Sequence, residues 1–548
     1  MSFFSRSLFA LLAAILLTLT ACDPKKPEAS AAVVATSDGD RKSQEPMTPA
    51  ERLARAKKLL ADAGYPEGKG FPKLEVLYNT DEGHKKIAAA IQQMWRKNLG
   101  IEVELRNTEW KVYLDDMSKL RYQIIRRGWI GDYRDPYTFI ELFTSQCGNN
   151  NTGWSNPDYD RLVKSAASEP DAKKRLDLLR RAERILVDDV PAIPLYFYVS
   201  SDCWKENVKG LFPNIQDIHP LKGVSVEGRD TLVMNNATEV QTLDPGLARG
   251  QPEHRITLAI FEGLTVYDPK TSEPRPGVAE RWESSPDGRK YTFHLRDCEW
   301  TDGRKVTAQD FVYAWTRVLD PATPTDYAHL LYFVKGAEAF NLKKAADRST
   351  VGIRAIDDRT LEVDLENPCP FFPELCAFFT YCPVRKDVLE KHGGDWTRPE
   401  NMVSNGPFKL VDWKPTDSIT VEKNPKYWDA SKVQLGRVKF LPIENRNTAW
   451  NVYKEGKCDW VTTLPLEIID EIVKRPDYHG DTFLATYYYS FNVTEGALKD
   501  KRVRKALALA LDRETIVSKI TKQGQKPAYH ITPPIFEAYK SPRLDEKE

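Results

Sequence analysis

The sequence predicts an α/β fold on a mixed sheet, and two observations carry that prediction. Leu74–Tyr78, a helical run through Ile87, Ile91, Met94 and Trp95, and Ile101–Leu105 form a strand–helix–strand unit. At that spacing the second strand returns parallel to the first. Two apolar runs rich in aromatics, Ala192–Val199 and Leu484–Tyr489, stand far apart in the chain and read as buried strands. At 548 residues the chain can build two or three domains with large cores.

The elements follow in order. Met1–Arg6 is short and basic, and Leu8–Leu19 is apolar but too short to span a membrane, which takes roughly 20 residues. This is an export signal. Its last residues, Leu19-Thr20-Ala21-Cys22, resemble a lipobox, which implies a lipid on Cys22. Residues 23–45 carry Lys, Pro, Ser and Asp with little to bury and read as a disordered tether. Thr48-Pro49-Ala50-Glu51 is a capping box with Pro at the first helical position, and Gly64 ends that helix. Gly100 closes the second helix. Tyr113–Leu120 reads as helix, Tyr122–Ile125 as extended chain, and Lys173–Leu186 as helix. Thr231–Asn235 and Tyr291–Leu295 read as strands, Thr307–Asp310 caps a helix carrying Phe311 and Trp315, and Val503–Leu511 is a buried helix.

Composition excludes several functions. Lys+Arg and Asp+Glu both number 79, so no net field gathers nucleic acid. Seven cysteines follow Cys22 with no CxxC pair, which argues against a disulfide scaffold or zinc module. An oxidised pair among Cys369, Cys376 and Cys382 is left open. There is no phosphate loop, GxSxG or HExxH, and Gly223–Gly228 misses the nucleophile elbow by one residue. No catalytic residue, metal or cofactor is expected.

Glu239–Pro245, Gly277–Trp282, Trp300–Gly303, Val306–Phe311, Asn405–Phe408, Val503–Leu507 and Leu511–Arg513 resemble the first part of the oligopeptide-binding proteins of peptide ABC importers, the extracellular solute-binding family 5. Trp129–Tyr133 and Asn151–Pro157 resemble its last part, yet they come earlier in this chain. The order is that of a circular permutation. The resemblance implies a periplasmic binding-protein fold with two lobes on two crossing strands, near Leu195–Ser200 and Leu484–Ser490. The expected segments are a signal over 1–22 and a tether over 23–45. One lobe takes 46–199 and 485–548. The other takes 200–272 and 386–484, with an extra subdomain over 273–385. The chain ends at Glu45 and Glu548 should then lie close together. The implied partners are an oligopeptide, an ABC permease with its ATPase, and a membrane reached through the lipid alone. The implied protein is a monomer in the periplasm or cell envelope. Alternatives are the same fold holding a sugar, nickel complex or haem, or a secreted peptidase.

The resemblance also implies site residues. Arg249-Gly250-Gln251 and Gly128-Trp129-Ile130 supply strand edges for a peptide backbone. Asp132 takes the peptide ammonium, although composition alone favours a solvated turn aspartate. Arg126 and His84 serve the carboxylate end, and His84 equally suits a helix N-terminus. Tyr327, Tyr198, Asn405 and Gly406 are expected near the ligand, and Trp110 lines a pocket or belongs to the core. A further family arginine is Met117 here, with Lys119 a speculative substitute. The family's disulfide positions are occupied by Ala485 and Ile130, so that bridge is missing.

Overall fold

The computed structural model describes residues 45–547. The signal, Cys22, the tether up to residue 44 and Glu548 lie outside the described residues. Among the described residues no helix is long and apolar enough to cross a membrane.

The parallel unit forms where sequence periodicity placed it. Strand β1 (Leu74–Asn79) leads into helix α2 (Glu82–Leu99), which follows helix α1 (Pro49–Asp62), and strand β2 (Val103–Thr108) returns beside β1. Their register runs in parallel from Leu74↔Val103 to Asn79↔Thr108. The Thr48 capping box starts α1, and Gly100, at φ 70°, stops α2. Strand β3 (Ile124–Ile130) pairs with β1 only at Val76↔Ile124 and Leu77↔Ile125. Helix α3 (Trp110–Ser118) connects β2 to β3.

Among the described residues one 11-stranded sheet runs through both halves. At its centre lie β4 (Ala192–Trp204) and the strand Tyr478–Phe491. The start of β4 and the end of Tyr478–Phe491 belong to the half containing β3, β1 and β2. Their other ends reach the half containing Trp460–Val461 and Thr231–Asn235. Both strands are longer than their apolar runs. Their mutual register slips between Thr482↔Val199 and Thr486↔Phe197, so three residues oppose one. Such a bulge bends and twists the strand at the place where one half hands over to the other. The handover lies at Thr482–Thr486, at the very start of the expected Leu484–Ser490 crossing.

The extra region carries a four-stranded antiparallel sheet, Ala279–Ser284, Lys290–Leu295, Thr360–Asp364 and Ile353–Asp357 in spatial order. Two distant sequence blocks share one core in the other half. Val76, Ile91, Trp95 and Ile193 pack with Tyr487, Val503 and Leu507. The Trp95 indole donates to the Leu507 carbonyl at 2.8 Å. The described ends also meet: Pro46 bridges Glu546, and the Met47 N–H donates to the Asp545 carbonyl at 2.7 Å. All seven described cysteines are buried free thiols, so Cys369, Cys376 and Cys382 form no pair. Ala485 and Ile130 are direct register partners on adjacent strands, with no sulfur to join them.

Candidate functional site

A cavity of about 380 Å³ opens where β3, β4, α3 and the helix Gln251–Ile260 converge. Its lining includes Asp132, Trp129, Gly128, Ile130, Arg126, His84, Trp110, Arg249, Gly250, Gln251, Tyr327 and Tyr198. Strand β3 explains much of this grouping. Past Ile125 it has parted from β1, and Arg126–Ile130 remain paired only with Tyr478–Phe491. Among the described residues no strand covers the other edge. Gly128 keeps this stretch open, because a Cβ there would lie 3.0 Å from the Tyr198 hydroxyl.

One end of the cavity is an acid without a cation. Asp132 is 6% exposed, its Oδ2 has no hydrogen-bond partner, and it forms no ion pair among the described residues. Its backbone is fixed: the N–H donates to Thr138 Oγ1 at 3.2 Å, and Gln216 Nε2 donates to its carbonyl at 3.4 Å. Burial, with a further push from Glu141, raises its pKa well above the ordinary carboxylate range. Tyr327 stacks on Trp129 with ring centres 6.3 Å apart, giving this end an aromatic wall.

The other end is rich in cations. Arg446 grips Asp81 with two bonds of 2.7 and 3.0 Å and donates to the Leu464 carbonyl at 2.9 Å. Burial alone would raise the Asp81 pKa, but the guanidinium outweighs it and holds the carboxyl well below its usual range. Arg126 donates to the Tyr198 hydroxyl at 2.7 Å and lies 4.8 Å from the Tyr487 ring centre. It forms no ion pair among the described residues, so its charge remains available. His84 stands in the first turn of α2, where its N–H donates to the Asp81 cap at 2.9 Å. Burial, then the nearby Arg126 charge, pushes its pKa well below the ordinary value. It offers a neutral ring, and not the cation expected for a carboxylate.

Other expectations need correction. Arg249-Gly250-Gln251 is no strand edge: Gly250 caps the helix Gln251–Ile260, and Gln251 is its first residue. Close approach still matters there, since a Cβ on Gly250 would lie 3.0 Å from Trp110 Cζ2. Arg249 pairs with Asp326 at 3.0 Å. Asn405 and Gly406 are away from the cavity. Asn405 accepts from the Glu262 N–H at 3.0 Å and donates to its carbonyl at 2.8 Å, which uses both ends of the amide. Gly406 is needed because a Cβ would lie 2.4 Å from the Ile260 carbonyl carbon. Lys119 turns outward to Asp115 at 2.7 Å, while Met117 does line the cavity. Arg446, Gln216, Glu444, Phe378, Phe379 and Phe483 also line the cavity and were not expected from the sequence. No local motif marks them; Arg446 reaches Asp81 across 365 positions of sequence.

The profile of bacterial extracellular solute-binding proteins, family 5, matches residues 23–151 and 273–547. The chain belongs to that family. Family 5 relatives include the periplasmic oligopeptide-binding protein of Salmonella typhimurium, 41% identical over 323 residues, covering 58% of this chain and 59% of that protein. The Bacillus subtilis oligopeptide-binding protein is 40% identical over 328 residues, or 59% of each chain. The chain thus spans about three fifths of the length of the curated relatives it matches. The Burkholderia pseudomallei oligopeptide-binding structure superposes with a TM-score of 0.55 at 41% identity, covering 58% of this chain and 64% of that one. The Escherichia coli murein tripeptide binding protein gives 0.56 at 36%, covering 59% and 64%.

Proposed function

We propose that this protein captures oligopeptides outside the cytoplasm and delivers them to an ABC permease. The observation that carries this reading is the buried, unpartnered Asp132 carboxylate at one end of a cavity whose other end holds the uncommitted Arg126. A peptide has an ammonium at one end and a carboxylate at the other. The unpaired edge of Arg126–Ile130 lies between them and suits backbone pairing whatever the side chains. Relatives named for oligopeptides support the same reading. No chemical step belongs to it.

A relative named as a probable deoxycholate-binding protein, 39% identical over 317 residues, makes a non-peptide ligand the second reading. A bile acid carries no ammonium and would leave the Asp132 carboxyl without the cation it lacks. Native mass spectrometry of the exported protein, followed by calorimetry with any recovered peptide and with deoxycholate, separates the two. Co-purified peptides of varied sequence support the first reading. Deoxycholate binding without any peptide binding overturns it.

The reading extends to two points of organisation. The exchanged order of the sequence blocks is a circular permutation whose old ends meet at Gly223–Asp230. The contact of Pro46 with Glu546 supports it. So does the coverage of only 59% of that relative, since alignment in chain order follows only one of two exchanged blocks. Cys22 anchors the chain to the envelope by lipid, and metabolic labelling with a palmitate analogue in wild type and Cys22→Ala tests this.

A further inference from the structure

A second cavity, of about 940 Å³, lies beside the first and shares a wall with it. Asn149 and Tyr327 line the first cavity, and Cys147 and His329 line the second. Two short segments therefore separate them. The same segments are tied together by Asn149 Nδ2, which donates to the Asp326 carbonyl at 3.3 Å.

We propose that the second cavity binds a compact organic cation, its ammonium held by Glu141 and His329 and its apolar body by Tyr137, Phe333 and Phe371. Glu141 is 7% exposed. Its side-chain partner is the Tyr133 hydroxyl, and it forms no ion pair among the described residues. The one guanidinium on the lining, Arg175, is already held by Asp135 through bonds of 2.9 and 2.8 Å. His329 is 5% exposed, and its Nδ1 lies 3.0 Å from the Asp326 carbonyl. A carbonyl only accepts, so Nδ1 carries the proton. Burial lowers the ring's pKa to about 4, so at neutral pH Nε2 presents a lone pair, and that atom has no partner. On this one cavity Glu141 accepts only from the Tyr133 hydroxyl and His329 Nε2 accepts from nothing, which suits a ligand that brings several N–H groups. An ammonium does so, and its charge also meets the carboxylate, which burial otherwise pushes up to about 8.

The walls suit the rest of such a ligand. Phe333 sits 6.1 Å from Tyr137 and 5.4 Å from Phe371, edge-on to the latter. Those faces attract a cation and bury an apolar body. Lys164 and Glu338 approach to 3.8 Å and come from opposite walls, the helix Pro157–Ser168 and the helix Ala337–Asn341. A ligand here touches both walls.

The probe is phenethylammonium, titrated into the full exported protein by calorimetry, with 2-phenylethanol as the uncharged control. The amine should bind once per chain, and the alcohol at least roughly tenfold more weakly, because a charged hydrogen bond is lost. Glu141→Gln should weaken the amine by a similar factor, and Asp132→Asn should leave it unchanged. Circular dichroism and thermal unfolding of Glu141→Gln report that the variant is folded. If that variant does not fold, Ala339→Trp, which fills the cavity from its rim, should abolish amine binding. Equal affinity in the variants, loss in Asp132→Asn, competition by peptide, or no binding in the millimolar range would each overturn the proposal. Amine binding does not depend on the peptide reading, so either can fail alone.

Discussion

The two ends of the first cavity solve the same problem in opposite ways. At one end Asp81 is buried beside Arg446, and each charge answers the other. At the other end Asp132 is buried with nothing to answer it. A folded chain tolerates a buried charge when it is paired and bonded, and otherwise shifts its pKa toward the neutral form. The paired acid is thus held ionised, and the unpaired acid is pushed toward protonation. The lesson is a division of labour. The Asp81–Arg446 pair joins the starts of two helices far apart in sequence, whereas Asp132 sits buried in the cavity with no charge to answer it, as the proposed ligand role requires.

If that contrast is right, truncating the pair and truncating the lone acid have different consequences. Arg446→Ala leaves Asp81 buried without a partner and should destabilise the ligand-free protein by roughly 3–5 kcal/mol. The double variant Asp81→Ala, Arg446→Ala should recover part of that loss, and denaturant unfolding measures both. Strict additivity would mean the two charges are each solvated on their own. The pair also has a pH signature. Because the folded pKa of Asp81 is lowered, its contribution is present above the unfolded value and fades as pH falls through the folded one.

Asp132→Ala should act on the ligand instead. A bound peptide ammonium left without a partner should weaken affinity on the order of a hundredfold or more. Acetylating the peptide's amino terminus should cost wild type a similar factor and Asp132→Ala little further. Independent, additive losses would place the ammonium elsewhere. At the opposite end, Arg126→Met should weaken a free-carboxylate peptide roughly ten- to hundredfold and spare its amide, since a charged hydrogen bond contributes about 1.5–3 kcal/mol. His84→Gln should change less, because a neutral ring supplies no charge to remove.

How much of this was legible in the sequence follows from the range of each interaction. The Thr48 capping box, the Gly100 stop and the strand Thr231–Asn235 are local signals, and the structure matches them. The crossing strands were read too short. Ser200–Trp204 and Tyr478–Thr482 mix polar with apolar residues and become strands because they pair with each other. The cavity-lining residues named from sequence came from a family motif, and Asp132 is the clear case. Nothing in Gly131-Asp132-Tyr133 itself separates a buried acceptor from a solvated turn. The misses have the same origin. Gly250 suits a strand edge and a helix cap equally, and only the helix that follows decides. Arg446 and Asp81 are separated by most of the chain, so no window of sequence joins them.

The smallest effect is the most direct measure of the contrast. In the ligand-free protein the folded pKa of Asp132 lies above its unfolded value of about 4. As pH rises past the unfolded value, the unfolded chain loses its proton first and binds fewer protons than the folded one. Stability then falls with rising pH until the folded pKa is reached. Asp132→Asn cannot ionise in either state. It should match wild type near pH 3.5 and become the more stable protein toward neutral pH, where Asp81→Asn should do the reverse. A bound ammonium removes the cause of the shift, so binding below the ligand-free pKa should release protons. Calorimetry in two buffers of different ionisation enthalpy should give different apparent binding enthalpies for wild type and equal ones for Asp132→Asn. Equal enthalpies for wild type across pH 5–8 would mean that Asp132 is already ionised in the empty cavity, and the contrast between the two ends would collapse.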